Sequence, residues 1–124
     1  MLMKRYFHWS IGCALSFIVS AVSASRPASA IDLQEYQRLR GDKVMQTYVA
    51  GVGAGYFWSN AYLGTIKSAR PLYCQNAGLS LNSANYINIL ESRIKALEKQ
   101  GRKEPNTPIE IVLLDGLLEA FPCK

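Results

Sequence analysis

Residues 80–99 read Ser80-Leu81-Asn82-Ser83-Ala84-Asn85-Tyr86-Ile87-Asn88-Ile89-Leu90-Glu91-Ser92-Arg93-Ile94-Lys95-Ala96-Leu97-Glu98-Lys99. Tyr86, Ile87, Leu90, Ile94 and Leu97 recur at three- and four-residue steps, which lays an apolar stripe along one face of a helix. Ser80 supplies a candidate N-cap, and Gly101 a stop. Glu91 and Lys95 stand four apart in the favourable order, as an ion pair on the wet face. Nothing in this stretch alternates with period two, and no such run bounded by turns occurs elsewhere, so strands are not expected.

Working outward, the same periodicity predicts three more helices. On the C-terminal side, Arg102 to Asn106 form a turn. Thr107 is then placed as cap, Pro108 at the first helical position and Glu110 as the return half of a capping box. Ile111, Leu114, Leu117, Leu118 and Phe121 are assigned to the buried side, and Pro122 ends the helix. On the N-terminal side, Asp32 with Glu35 suggests a capping box for a short first helix closed by Gly41. A second helix runs from Asp42 to about Tyr62 or Leu63, with Met45, Tyr48, Val49, Val52, Tyr56 and Phe57 on its apolar face. Gly64 and Pro71 mark the connection that carries Cys74. The expected architecture is an all-α bundle of about four helices, without repeats or low-complexity tracts.

The first thirty residues belong to another category. Lys4 and Arg5 precede an apolar run from Ile11 to Val22, and small residues follow through Ala24 and Ala28-Ser29-Ala30. This is the pattern of a secretory signal peptide, and the run is shorter than the roughly 20 residues that span a bilayer. A retained anchor and a lipid-modified Cys13 are the rival readings. Cleavage after Ala24 or after Ala30 fits the small-residue rule, and patterning suited to a folded domain begins only at Ile31. The chain thus divides into a signal peptide, 1–30, and a single domain, 31–124, expected in the periplasm or secreted, without a stable membrane anchor.

Removal of that segment changes the inventory. Eleven basic residues then face nine acidic ones, and the formal charge falls from +5 to +2. That balance does not suggest nucleic acid, which calls for a clustered basic stripe. The single histidine, His8, is lost, and with it His-based triads, general bases and the common zinc sites. Two cysteines remain, Cys74 and Cys123. In an exported chain they are expected to oxidise, closing a loop of about 50 residues worth roughly 4 kcal/mol by chain entropy. An intermolecular bridge or free thiols are the alternatives.

Other residues with chemical potential have plainer uses. Asp115 and Glu119, four apart, read as a solvated acidic stripe rather than an acid/base pair. Gly51-Val52-Gly53-Ala54-Gly55 lacks the preceding strand and the spacing of a phosphate loop, so its small residues are expected to admit a neighbouring helix. Of the cluster Tyr56, Phe57, Trp58 and Tyr62, most should be core, with one or two rings left for a partner surface. No catalytic residue, metal or cofactor is expected, and the chain does not read as an enzyme.

Four strings carry a resemblance. They are Tyr48-Val49-Ala50-Gly51-Val52-Gly53-x-Gly55-Tyr56, Trp58-x-Asn60-Ala61, Pro71-Leu72-Tyr73-Cys74 and Leu117-x-x-Ala120-Phe121-Pro122-Cys123. Together they resemble the Rap/Tai immunity protein family. Many members carry a further cysteine pair around the first two helices, which this chain lacks between Cys13 and Cys74, so it looks closer to a branch of uncharacterised relatives. The resemblance implies an exported helical protein with a Cys74–Cys123 disulfide that binds and blocks a peptidoglycan amidase delivered by type VI secretion, with homodimers as one assembly. The alternative is a small periplasmic stress or chaperone-like protein. The partner surface is expected around Tyr73, Gln75 and Asn76, beside the disulfide, and at Tyr62.

Overall fold

The segment around Ile31 and Asp32 runs antiparallel to Pro108, and this pairing anchors the start of the fold. The Asp32 carboxylate accepts the Glu35 backbone N–H at 2.8 Å and caps α1, Leu33–Leu39. The free N–H groups of Leu33 and Gln34 are taken by the carbonyls of Thr107 and Pro105, at 3.0 and 3.1 Å, which satisfies donors that a helix start leaves orphaned. Three longer helices follow: α2 (Lys43–Ala61), α3 (Ser83–Lys99) and α4 (Ile109–Ala120). The computed structural model describes residues 30–124; the signal-peptide reading of residues 1–30 and Cys13 otherwise lie outside the described residues. Among the described residues there are no strands, and the fold is all-α.

Helix α3 packs most extensively on α4 and next on α2. Leu33, Tyr36, Met45, Val49, Tyr73, Tyr86, Leu90, Ile94, Leu97, Ile109, Val112, Leu113 and Leu117 form one buried cluster. Close approach depends on two glycines. A Cβ on Gly53 would lie 2.4 Å from the Tyr86 ring, and one on Gly116 would lie 2.9 Å from Ile89 Cγ2. Gly53 therefore admits α3 onto α2, as expected of the glycine string, whereas Gly51 and Gly55 face open space. Helix α3 ends in a Schellman turn: Gly101 has φ +65°, and the N–H groups of Gly101 and Arg102 donate to Glu98 and Leu97.

Several local expectations are corrected. Helix α3 is capped by Asn82 and not by Ser80, because Asn82 and Asn85 exchange reciprocal bonds of 3.0 and 2.9 Å. Pro108 occupies the cap position of α4, held extended by its pairing with Asp32, so Thr107 does not cap and Glu110 does not close a box. The buried face of α4 is Ile109, Val112, Leu113, Gly116 and Leu117. Ile111 is 59% exposed and Leu118 40%. The helix is apolar nearly all round, so periodicity leaves its rotation open, and the fit of Gly116 against α3 selects the phase. Glu91 does not pair with Lys95: it accepts the Tyr36 hydroxyl at 2.8 Å and lies 3.2 Å from Arg40. Asp115 and Glu119 are not a free acidic stripe. Both hold the largely buried Arg93, at 2.6 and 2.9 Å.

Cys74 and Cys123 are bonded, with Cα atoms 4.9 Å apart. The bridge ties the α2–α3 connection to the chain following α4, as the cysteine count led one to expect. Cys123→Ser should lower the free energy of unfolding by about 2–5 kcal/mol, read from urea melts. Wild-type melting should fall correspondingly under reduction, and equal melts in both conditions would refute the role of the bridge. The glycines separate by position. Gly53→Ala should destabilise by about 1–3 kcal/mol through overpacking on Tyr86, whereas Gly55→Ala should stabilise by about 0.5–1 kcal/mol.

Candidate functional site

The C-terminal half of α2 carries more aromatic surface than the core takes up. Phe57 and Trp58 meet edge to face with centroids 5.3 Å apart, and Trp58 is 70% exposed. One turn on, Tyr62 is 49% exposed, and the Lys67 ammonium lies 5.8 Å from its ring centroid. The chain here leaves α-geometry for a single π-helical turn, Tyr62–Ile66, closed by a 3.1 Å bond from the Lys67 N–H to the Tyr62 carbonyl. Such wide turns are rare and re-aim side chains. Ile66 emerges 65% exposed, and Leu72 and Leu79 are exposed in the connection that follows.

A single side chain organises that connection. Asn60, on the last turn of α2, accepts the Leu72 N–H at 2.6 Å and the Tyr73 N–H at 3.3 Å, and donates to the Tyr73 carbonyl at 2.7 Å. One residue further, the Cys74 N–H donates to the Phe121 carbonyl at 2.8 Å, alongside the disulfide. The backbone from Leu72 to Cys74 is thus fixed from both sides. Only the resemblance string containing Asn60 marked this residue, and its role as a clamp was not foreseen.

The residues proposed from sequence separate. Tyr62 is on the exposed face. Asn76 is exposed, and Gln75 is half-buried with its amide donating to the Leu79 carbonyl; with Phe57 they border a shallow groove of about 350 Å³. Tyr73 is a correction: its side chain is 1% exposed and packs against Phe121, centroids 6.2 Å apart. The bends at Leu72 and Tyr73 leave Leu72 exposed and bury Tyr73. Burial pushes the Tyr73 hydroxyl up to about 12, and the oxygen has no hydrogen-bond partner. The ring therefore serves the core.

Charge marks the same end of the molecule. No Asp or Glu occurs between Asp42 and Glu91, while Lys67 and Arg70 lie exposed within that interval. The Lys67 ammonium beside Tyr62 is the cation placed at the aromatic face. Among the described residues no group of three His, Cys, Asp or Glu is placed to hold a metal, and no helix is long and apolar enough to cross a membrane. No protein-family model matches the chain, and searches of curated proteins and of solved structures likewise return no match.

Removal of the clamp should loosen the connection without unfolding the protein. Asn60→Ala leaves the Leu72 and Tyr73 amides without their acceptor and should cost about 1–3 kcal/mol, with faster hydrogen exchange concentrated at those amides. Tyr73→Phe deletes an unpaired hydroxyl and should leave stability unchanged or raise it. Loss of stability in Tyr73→Phe larger than in Asn60→Ala would reverse this assignment.

Proposed function

We propose that the mature domain is an exported binding protein that inhibits a periplasmic cell-wall hydrolase by covering it, as an immunity protein does for a type VI secretion amidase. The observation that carries the reading is the exposed aromatic surface at the C-terminal end of α2, Phe57, Trp58 and Tyr62, next to a connection whose Leu72–Cys74 backbone is held by Asn60 and the disulfide. Large exposed aromatics on a rigid scaffold are what a tight protein interface uses as anchors.

The chemistry of the chain supports occlusion in preference to turnover. With the signal peptide removed the domain has no histidine, its two cysteines are bonded to each other, and the Asp115–Glu119 pair is occupied by Arg93. Activation of water or a nucleophile has few remaining routes. Lys67, beside the Tyr62 ring, fits a partner with a negative rim around an apolar patch. The strings that resemble Rap/Tai proteins include Gly53, Asn60, Tyr73, Cys74 and Cys123, the residues that build and hold this end of the fold.

The test is rescue. Co-expression of the exported form should protect cells from an exported peptidoglycan amidase that the protein captures from periplasmic extract, and the form lacking residues 1–30 should not protect. Trp58→Ala should weaken capture about 30-fold or more while the melting temperature is retained. Equal rescue from the cytoplasm would sink the compartment reading, and peptidoglycan hydrolysis by the purified protein would sink inhibition. Protection of many unrelated misfolded proteins, with no hydrolase bound, would transfer the role to a chaperone. Ultracentrifugation of the protein alone reports whether a second copy occupies the same face.

A further inference from the structure

Glu110 stands in the first turn of α4, and its two carboxylate oxygens are treated unequally. Oε1 accepts the Tyr48 hydroxyl, while Oε2 is buried and has no hydrogen-bond partner. A buried acceptor left unmade is costly, more so when it carries charge. The nearest chain segment is Ile31. Its carbonyl accepts the Ile109 N–H at 2.9 Å, one residue from Glu110. Tyr56 closes the site from α2, donating to the Glu110 carbonyl at 3.0 Å. Asp32, the other acid nearby, is engaged by the Glu35 N–H.

This is a site for a cation, and the chain has a means of making one there. We propose that export-linked cleavage falls between Ala30 and Ile31 and that the new Ile31 α-ammonium pairs with Glu110, locking the N-terminal segment to α4. Hydrolysis breaks the Ala30–Ile31 peptide bond; water supplies hydroxide to the Ala30 carbonyl carbon and a proton to the Ile31 nitrogen, which takes a further proton from solvent. The amide's one N–H becomes three donors, beside a buried carboxylate oxygen that lacks one. Cleavage after Ala24 would leave Ser25 to Ala30 in place and Ile31 a neutral amide. The unpartnered Oε2 favours the cut after Ala30 over the cut after Ala24. The proposal rests on the export reading.

The full chain, with its own leader, is expressed in a bacterial host, purified from the periplasm and its N-terminus sequenced; the pH dependence of α-amine acylation is then measured. The expected N-terminus is Ile31, its amine raised about one unit or more above the ordinary 7.7–8.0. Because pairing raises the folded-state value, the stabilisation should be complete below the ordinary range and lost as pH rises through the raised value. Glu110→Gln should return the amine to the ordinary range. Ala30→Phe should divert cleavage to Ala24, giving a protein whose melting temperature shows no such alkaline loss. An N-terminus at Ser25 in the unmutated chain overturns the proposal and leaves export standing, whereas Met1 retained in the cytoplasm overturns export itself. An Ile31 amine that titrates alike in the unmutated chain and in Glu110→Gln overturns the pairing.

Discussion

The covalent bond between Cys74 and Cys123 bears on every other feature of this fold. A domain of this size buries a modest fraction of its surface, and its core alone leaves a narrow margin. The bridge encloses α3 and α4 in one loop and restrains the unfolded chain more than the native one. Its local effect is equally important. It holds the α2–α3 connection, which has little regular structure, against the C-terminal end of α4, where the Cys74 N–H reaches the Phe121 carbonyl. Tyr73, one residue before the bridge, can then be buried completely, and Leu72 is turned outward.

A second fixed point lies at the opposite end of the chain order. Ile31 and Asp32 are stitched to the α3–α4 turn by backbone bonds from Leu33, Gln34 and Ile109. These replace caps that side chains would otherwise have to supply, and they hold Pro108 extended. Between these two ends the helices meet through small contacts: Gly53 under Tyr86 and Gly116 under Ile89. Polar groups at the seams are mostly paired, Arg93 with Asp115 and Glu119, Glu91 with Tyr36 and Arg40. The aromatic face is what these constraints leave unburied.

Much of this was legible in the residues. Four helices, their approximate ends, the Asp32 cap, the Gly101 stop and the Cys74–Cys123 pairing follow from rules that act within a few residues or from simple counting. The close approach at Gly53 was also readable, since a glycine-rich stretch within an amphipathic pattern has few other uses. Tyr62 lies on the surface, but so do Phe57 and Trp58, so the expectation that most of this aromatic cluster is core fails: helical spacing does not bury every ring of a run at one helix end. The burial of Tyr73 was not legible, since a residue in an irregular connection has no periodicity to report which way it points.

What the sequence determined by itself is therefore local: helical period, caps, stops, and a cysteine inventory with one internal solution. What only the tertiary structure decided is rotation and partnership. Helix α4 is apolar on nearly every side, so its phase was set by the fit of Gly116 against α3 and not by its own pattern. Glu91 has a plausible partner one turn on in Lys95, yet Glu91, Glu110, Asp115 and Glu119 all take their partners from outside their own helix. Packing brings those groups to hydrogen-bond distance in a partly desolvated seam, where a charge-assisted bond outweighs an exposed pair along one helix. Asn60 binds backbone twelve residues away for the same reason: its ligands exist only once the chain has folded back upon it.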